Sequence, residues 1–122
     1  HTGENWMLLL IDADRNHETG WNGYDLLVNR KVLDDHTTTL MWYDPHASGD
    51  PWVVESELPY RYAGNALEVA IPRRLLGLTG ADATFDFHWC DHPTDLKDVI
   101  SLCISGDSAP NRRFNYRCIW KK

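Results

Sequence analysis

Residues 5–30 read NWMLLLIDADRNHETGWNGYDLLVNR, and this stretch decides the fold class. Its opening, Asn5 to Ile11, is apolar at both alternations, so a strand here buries both of its faces. Such a strand lies in the middle of a sheet or beneath another element. From Asp12 to Gly23 the chain is dense in Asp, Asn and Gly, which marks a tight loop. Tyr24 to Val32, YDLLVNRKV, then reads as a second strand, antiparallel to the first.

The pattern continues outward from there. Residues 33–38 form a polar turn, and TLMWY makes a third strand ending at Asp44–Pro45. HASGDP is a turn by composition. Trp52 to Tyr62 alternates, with Trp52, Val54, Leu58, Tyr60 and Tyr62 on one parity and Glu55, Glu57 and Arg61 on the other. Pro59 interrupts it, as on an edge or bulged strand. Leu67, Val69 and Ile71 share a face opposite Glu68. Pro72 opens RRLLGL, the only helical turn expected, which Gly77 or Gly80 stops. Phe85, Phe87 and Trp89 alternate with Asp86 and His88. Val99 to Ile104 and Phe114 to Trp120 are the last strands, joined by a loop from Gly106 to Arg112.

About eight short strands at regular spacing predict an all-β fold, an antiparallel β-sandwich of jelly-roll type with at most one short helical turn. The 122 residues are the length of a single domain. Because the first strand is already of the buried type, further strands are expected upstream of His1.

Charge narrows the functions. Eighteen acidic residues against twelve basic ones give a net charge of −6, the wrong sign for a surface that neutralises phosphates, so no nucleic-acid partner is expected. The longest apolar run, Trp6 to Ile11, is too short to span a bilayer. Cys90, Cys103 and Cys118 are odd in number and form no C-x-x-C pair. They read as buried free thiols, with a Cys103–Cys118 bridge as the alternative.

Two constellations carry chemistry. Asp12, Asp14, Asn16 and Glu18 place oxygen-bearing side chains at alternate positions of one loop, which suits the oxygen coordination of a structural calcium ion (Ca2+). The spacing matches the first half of an EF-hand loop. His17 then stands where the turn Gly belongs and Gly23 where the bidentate Glu belongs, so the loop is not an EF-hand. Asp25, or a distant carboxylate such as Asp107, would complete an irregular site. The competing reading is an Asx-rich turn whose side chains satisfy their own backbone. The second constellation is aromatic. The chain has six tryptophans and five tyrosines, more than one small core usually needs. Trp21, Trp42, Tyr43 and Trp52 lie on or beside loops, as platforms for the apolar faces of a sugar. His88, Arg113, Asn115 and Arg117 would supply polar contacts in a groove, or else simply face solvent. Trp89 belongs with the core.

Catalysis is not expected. No two carboxylates are singled out as a glycosidase pair, and neither G-x-S-x-G nor H-E-x-x-H occurs. Cys90 with His88 or His92 has the residue types of a nucleophilic pair, but His88 and Cys90 lie two apart on one strand and point the same way.

In series, NWMLLLIDADRNHETGWNGYDLLVNR, GNALEVAIPRRLLGL, FDFHWCD and GDSAPNRRFNYR resemble the family 9 carbohydrate-binding modules and their DOMON-like relatives, from Trp6 to Tyr116. The resemblance implies a β-sandwich of which this chain is the C-terminal two-thirds. It also implies a polysaccharide or oligosaccharide ligand bound without catalysis, and a bacterial setting that is secreted or on the cell envelope. Such modules are often appended to glycoside hydrolases or related enzymes, so other domains of the same polypeptide are implied partners. A module that packs against a catalytic domain and binds no sugar is the alternative. The sugar-clamping tryptophans of well-known members have no unique match here. Haem, the other ligand of DOMON-like folds, needs an axial Met or His; Met7 reads as core instead.

Overall fold

The computed structural model describes residues 6–64, 66–78, 80, 82–93, 107–109 and 115–120. The strand expected over Val99 to Ile104, and with it Cys103, Arg113 and Phe114, lies outside the described residues. The strands are β1 (Leu8–Asp12), β2 (Leu26–Val32), β3 (Thr37–Tyr43), β4 (Trp52–Ala63), β5 (Ala66–Val69), β6 (Ala83–Asp91), β7 (Asp107–Ala109) and β8 (Tyr116–Trp120), with a 3₁₀ turn at Arg73–Leu76. Gly77 ends that turn, as expected. Among the described residues no helix is long and apolar enough to cross a membrane.

The fold is all-β and antiparallel. The strands form one curled sheet in the order β5-β4-β3-β2-β1-β6-β7. The chain meanders from β1 to β5, then returns so that β6 pairs with the free edge of β1. The outer edge of β6 is shared, β8 taking Ala83 to Phe87 and β7 taking Trp89 to Asp91. β7 corrects the expected loop from Gly106 to Arg112. Its three residues carry turn-like composition, yet they pair because β8 leaves that end of the β6 edge open.

Both faces of the sheet are apolar. Leu8 and Leu10 of β1 pack with Tyr24, Leu27, Met41, Trp52 and Cys90 on one face. Leu9 and Ile11 pack with Leu26, Val28, Leu40, Leu58 and Leu76 on the other. All five residues of β1 are buried, as the double alternation predicts. On the second face, Leu9, Ile11, Ile71, Phe85, Phe87, Trp89 and others line an apolar groove of about 540 Å³.

Two bulges set which side chains reach which face. In β4 the pairing with β3 shifts between Ser56, opposite Leu40, and Val54, opposite Met41, which leaves Glu55 as the extra residue. One extra residue reverses the alternation. Trp52 therefore belongs to the Tyr24 face while Leu58, of the same parity, belongs to the groove face. The single shared face expected for Trp52, Val54, Leu58 and Tyr60 is thus corrected. The chain also runs through Pro59 without a break, passing from pairing with β3 to pairing with β5.

The second bulge lies in β2, where the register shifts between Val28 and Val32. Asn29 has φ +74°, a left-handed conformation that Asn tolerates better than most residues. It is buried, with 1% of its surface exposed. Its Nδ2 donates to the carbonyls of Trp6 (3.0 Å) and Met7 (3.2 Å), and its Oδ1 accepts from the Thr38 hydroxyl (2.7 Å). Asn29 therefore binds the entry of β1 to β2 and β3. Asn29→Ala removes these bonds, strands buried acceptors and places a less tolerant residue at positive φ. The expected loss is about 2–4 kcal/mol. It should appear in urea denaturation as a lower midpoint at unchanged m-value. A loss below about 1 kcal/mol would show that water replaces the bonds.

Candidate functional site

The acidic loop folds around a tight turn. Trp21 and Tyr24 exchange backbone hydrogen bonds, Trp21 N–H to Tyr24 O at 2.7 Å and Tyr24 N–H to Trp21 O at 2.9 Å. Between them Asn22 and Gly23 both have positive φ, which is what a type I′ turn requires and why Asn-Gly occupies it. Gly20 precedes it at φ +69°, and a Cβ there would lie 2.1 Å from the Tyr24 carbonyl oxygen. No other residue fits so close an approach. The turn projects Trp21 back over the sheet and leaves Asp25 between strand ends. The Asp25 N–H donates to Ile11 O, and its carbonyl accepts from Tyr43 N–H.

That placement brings three carboxylates together. Asp12, Asp14 and Asp25 each offer an oxygen within 4.8 Å of the others. Asp12 is wholly buried and its Oδ1 accepts from the Asn16 N–H at 3.1 Å. Asp25 Oδ2 accepts from the Ala13 N–H at 2.9 Å. Asp14 Oδ2 accepts from the Thr19 hydroxyl at 2.7 Å. Burial, the hydrogen-bonded contact with Asp14 and repulsion from Asp25 push the Asp12 carboxyl up to about 6. Burial and repulsion from Asp14 also raise Asp25. Burial raises Asp14 as well, but the Thr19 hydroxyl and the contact with Asp12 outweigh it and hold Asp14 below the usual carboxylate range.

Asn16 and Glu18 do something else. The Glu18 N–H donates to Asn16 Oδ1 at 2.9 Å, and the Asn16 N–H donates to Asp14 Oδ1 at 3.0 Å. These are Asx-type bonds that shape the loop. The loop therefore has Asx turns along its length and three carboxylates gathered at its base, with Asp25 as the third. Asp107 stands apart, on β7 opposite Asp91.

The aromatic candidates divide between the two faces. Trp21 packs edge-on to Trp52 with ring centroids 6.2 Å apart, and Tyr43 does the same at 5.4 Å. With Arg30, Gly49, Asp50 and Pro51 these three rings line a pocket of about 640 Å³. Arg30 Nη2 pairs with Asp50 Oδ2 at 2.7 Å, and Asp50 Oδ1 accepts the Trp52 N–H at 3.0 Å. Trp42, one residue from Tyr43, points to the opposite face and is 39% exposed, so it takes no part. Sequence reasoning missed Arg30 and Asp50 because they pair across twenty positions. The one signal was Asp50–Pro51 ahead of an aromatic strand.

His88, Asn115 and Arg117 fall in neither cluster. His88 is buried beside Tyr24, with ring centroids 6.4 Å apart. The Tyr24 hydroxyl donates to Asn115 Oδ1 at 2.7 Å. Arg117 forks onto Asp86 at 2.8 and 3.2 Å, and this bond holds Asp86 below the usual carboxylate range. Together they tie β8 to the Tyr24 face. Cys118 carries a free thiol and lines the groove. No family model, curated protein or solved structure matches the chain.

The raised carboxyls fix a pH dependence. Asp12 titrates at about 6 when folded against 3.8 as the reference, so the folded state holds more protons across that window. Stability therefore falls as pH rises from about 4 to about 6 in EDTA-treated buffer, and Asp25 adds in the same sense. Asp14 and Asp86, both lowered, act in the opposite sense at more acidic pH. Thermal melts should show Tm declining across the window. Asp12→Asn should flatten the decline by on the order of 2 kcal/mol. A Tm that rises with pH over the same range would contradict this assignment of the proton.

Proposed function

We propose that the chain is a non-catalytic carbohydrate-binding module of β-sandwich build, with its sugar site in the pocket formed by Trp21, Tyr43 and Trp52. The observation that supports this reading is the convergence of three rings from separate segments on one ion pair, Arg30–Asp50. A sugar ring presents an apolar C–H face and a rim of hydroxyls that both donate and accept. The part-exposed faces of Trp21 and Tyr43 suit the first requirement. Arg30 donors and Asp50 acceptors, side by side, suit a pair of neighbouring hydroxyls. The pair is neutral as a unit, which favours an uncharged sugar. The pocket volume lies within the range of about 300–1,000 Å³ that small ligands occupy. Such a module would deliver a secreted or envelope-bound polysaccharide-processing protein to its substrate.

A second reading rests on the opposite face. The apolar groove lined by Phe85, Phe87, Trp89 and Trp120 is the kind of surface a soluble domain covers. A module that packs this face against another β-layer or a catalytic domain needs no sugar site. Closure of the groove by a second layer would also complete the sandwich.

Affinity electrophoresis across a panel of soluble polysaccharides, followed by calorimetry with the oligosaccharide of the retained one, separates the two. Trp21→Ala and Asp50→Ala should each weaken binding about tenfold or more, since each removes roughly 1–3 kcal/mol of stacking or hydrogen bonding. Trp42→Ala on the opposite face should leave it unchanged. No retention on any polysaccharide would sink the sugar reading and leave the packing module.

A further inference from the structure

The base of the acidic loop gathers carboxylates that form no ion pair among the described residues. Asp12, Asp14 and Asp25 bring one oxygen each within 4.8 Å of the others. None of the ion pairs among the described residues involves them: the cations pair with Asp50, Glu68, Asp86 and Asp91 instead. Arg117, the guanidinium on the neighbouring strand position, is committed to Asp86, which lies directly opposite Asp12 in the β1–β6 register.

Asp12 adds an independent observation. Its side chain has no exposed surface, and while Oδ1 accepts the Asn16 N–H, Oδ2 is buried with no hydrogen-bond partner among the described residues. A buried carboxylate oxygen left without a donor is costly. Among the described residues, the donors bonded to the cluster go to other oxygens. The Thr19 hydroxyl goes to Asp14, the Ala13 N–H to Asp25 and the Asn16 N–H to Asp12 Oδ1.

We propose that Asp12, Asp14 and Asp25 bind one calcium ion, with Asp12 Oδ2 as its innermost ligand. Three carboxylates from a loop and the residue before the second strand are hard oxygen donors, the chemistry calcium prefers. The partly exposed side of the cluster, at Asp14, leaves room for water to fill the remaining coordination positions. The ion clamps the end of β1 to the start of β2 and so fixes the turn that carries Trp21. This site stands apart from the sugar pocket and does not depend on the sugar reading.

Calorimetry on the EDTA-stripped 122-residue chain tests it, with calcium chloride and magnesium chloride titrated separately at pH 7.5. One calcium should bind per chain, magnesium at least tenfold more weakly, and millimolar calcium should raise Tm by about 5 °C or more. Asp14→Asn, at the exposed edge of the cluster, keeps the fold and should weaken calcium binding at least tenfold. Absence of both heat and Tm shift up to 10 mM calcium (about the weakest range of extracellular sites) overturns the proposal. So does an Asp14→Asn variant that binds as wild type, and magnesium binding as tight as calcium overturns the choice of ion.

Discussion

The two hydrogen-bonded edges of β1 are the constraint from which the rest of this structure follows. Leu8–Asp12 pairs with β2 on one side and β6 on the other, and its side chains alternate between two separate apolar clusters. Neither cluster exists without it. A strand placed this way has no solvent face, so its last residue cannot be an ordinary surface aspartate. Asp12 is buried because β1 is central, and its unusual proton affinity follows from that position.

Bulges then decide how a strongly apolar sequence shares itself between two faces. Without the extra residue at Glu55, Trp52 and Leu58 would face the same way, and one of them would leave its cluster. The bulge lets the first half of β4 contribute an aromatic ring to the pocket and the second half contribute Leu58 to the groove side. Asn29 lies at the matching irregularity in β2, where its side chain bonds the residues that lead into β1 and the Thr38 hydroxyl of β3. The sheet's curl and its two-sided core are consequences of the same irregularities.

Much of this was legible in the residues, and the misses have physical causes. The double burial of β1, the antiparallel return of β2 and the turn at Arg73–Leu76 follow from periodicity and capping, which are local. The face assignments in β4 were not legible, because a bulge depends on which partner residues compete for a rung. β7 was hidden by its composition: three residues between Gly106 and Pro110 look like a turn until an open sheet edge is supplied. For the candidate site, Asp12, Asp14 and Asp25 were readable from spacing and flanking strands. The division of Trp42 from Tyr43, and the pairing of Arg30 with Asp50, were not. Alternation separates the first pair, but only the fold says which side is which, and the second pair meets across two loops.

The carboxylate cluster and the aromatic pocket are best understood as two ends of one turn. Gly20, Asn22 and Gly23 take positive φ so that the chain reverses within the span from Trp21 to Tyr24. The reversal sets Trp21 against Trp52 on one side and delivers Asp25 to Asp12 and Asp14 on the other. The Asp25 backbone completes the link, bonded to Ile11 at the end of β1 and to Tyr43 at the end of β3. Tyr43 is itself a wall of the pocket. One short turn thus supplies a residue to the carboxylate cluster and a ring to the pocket, and the Asp25 backbone bonds to strand ends on either side of it.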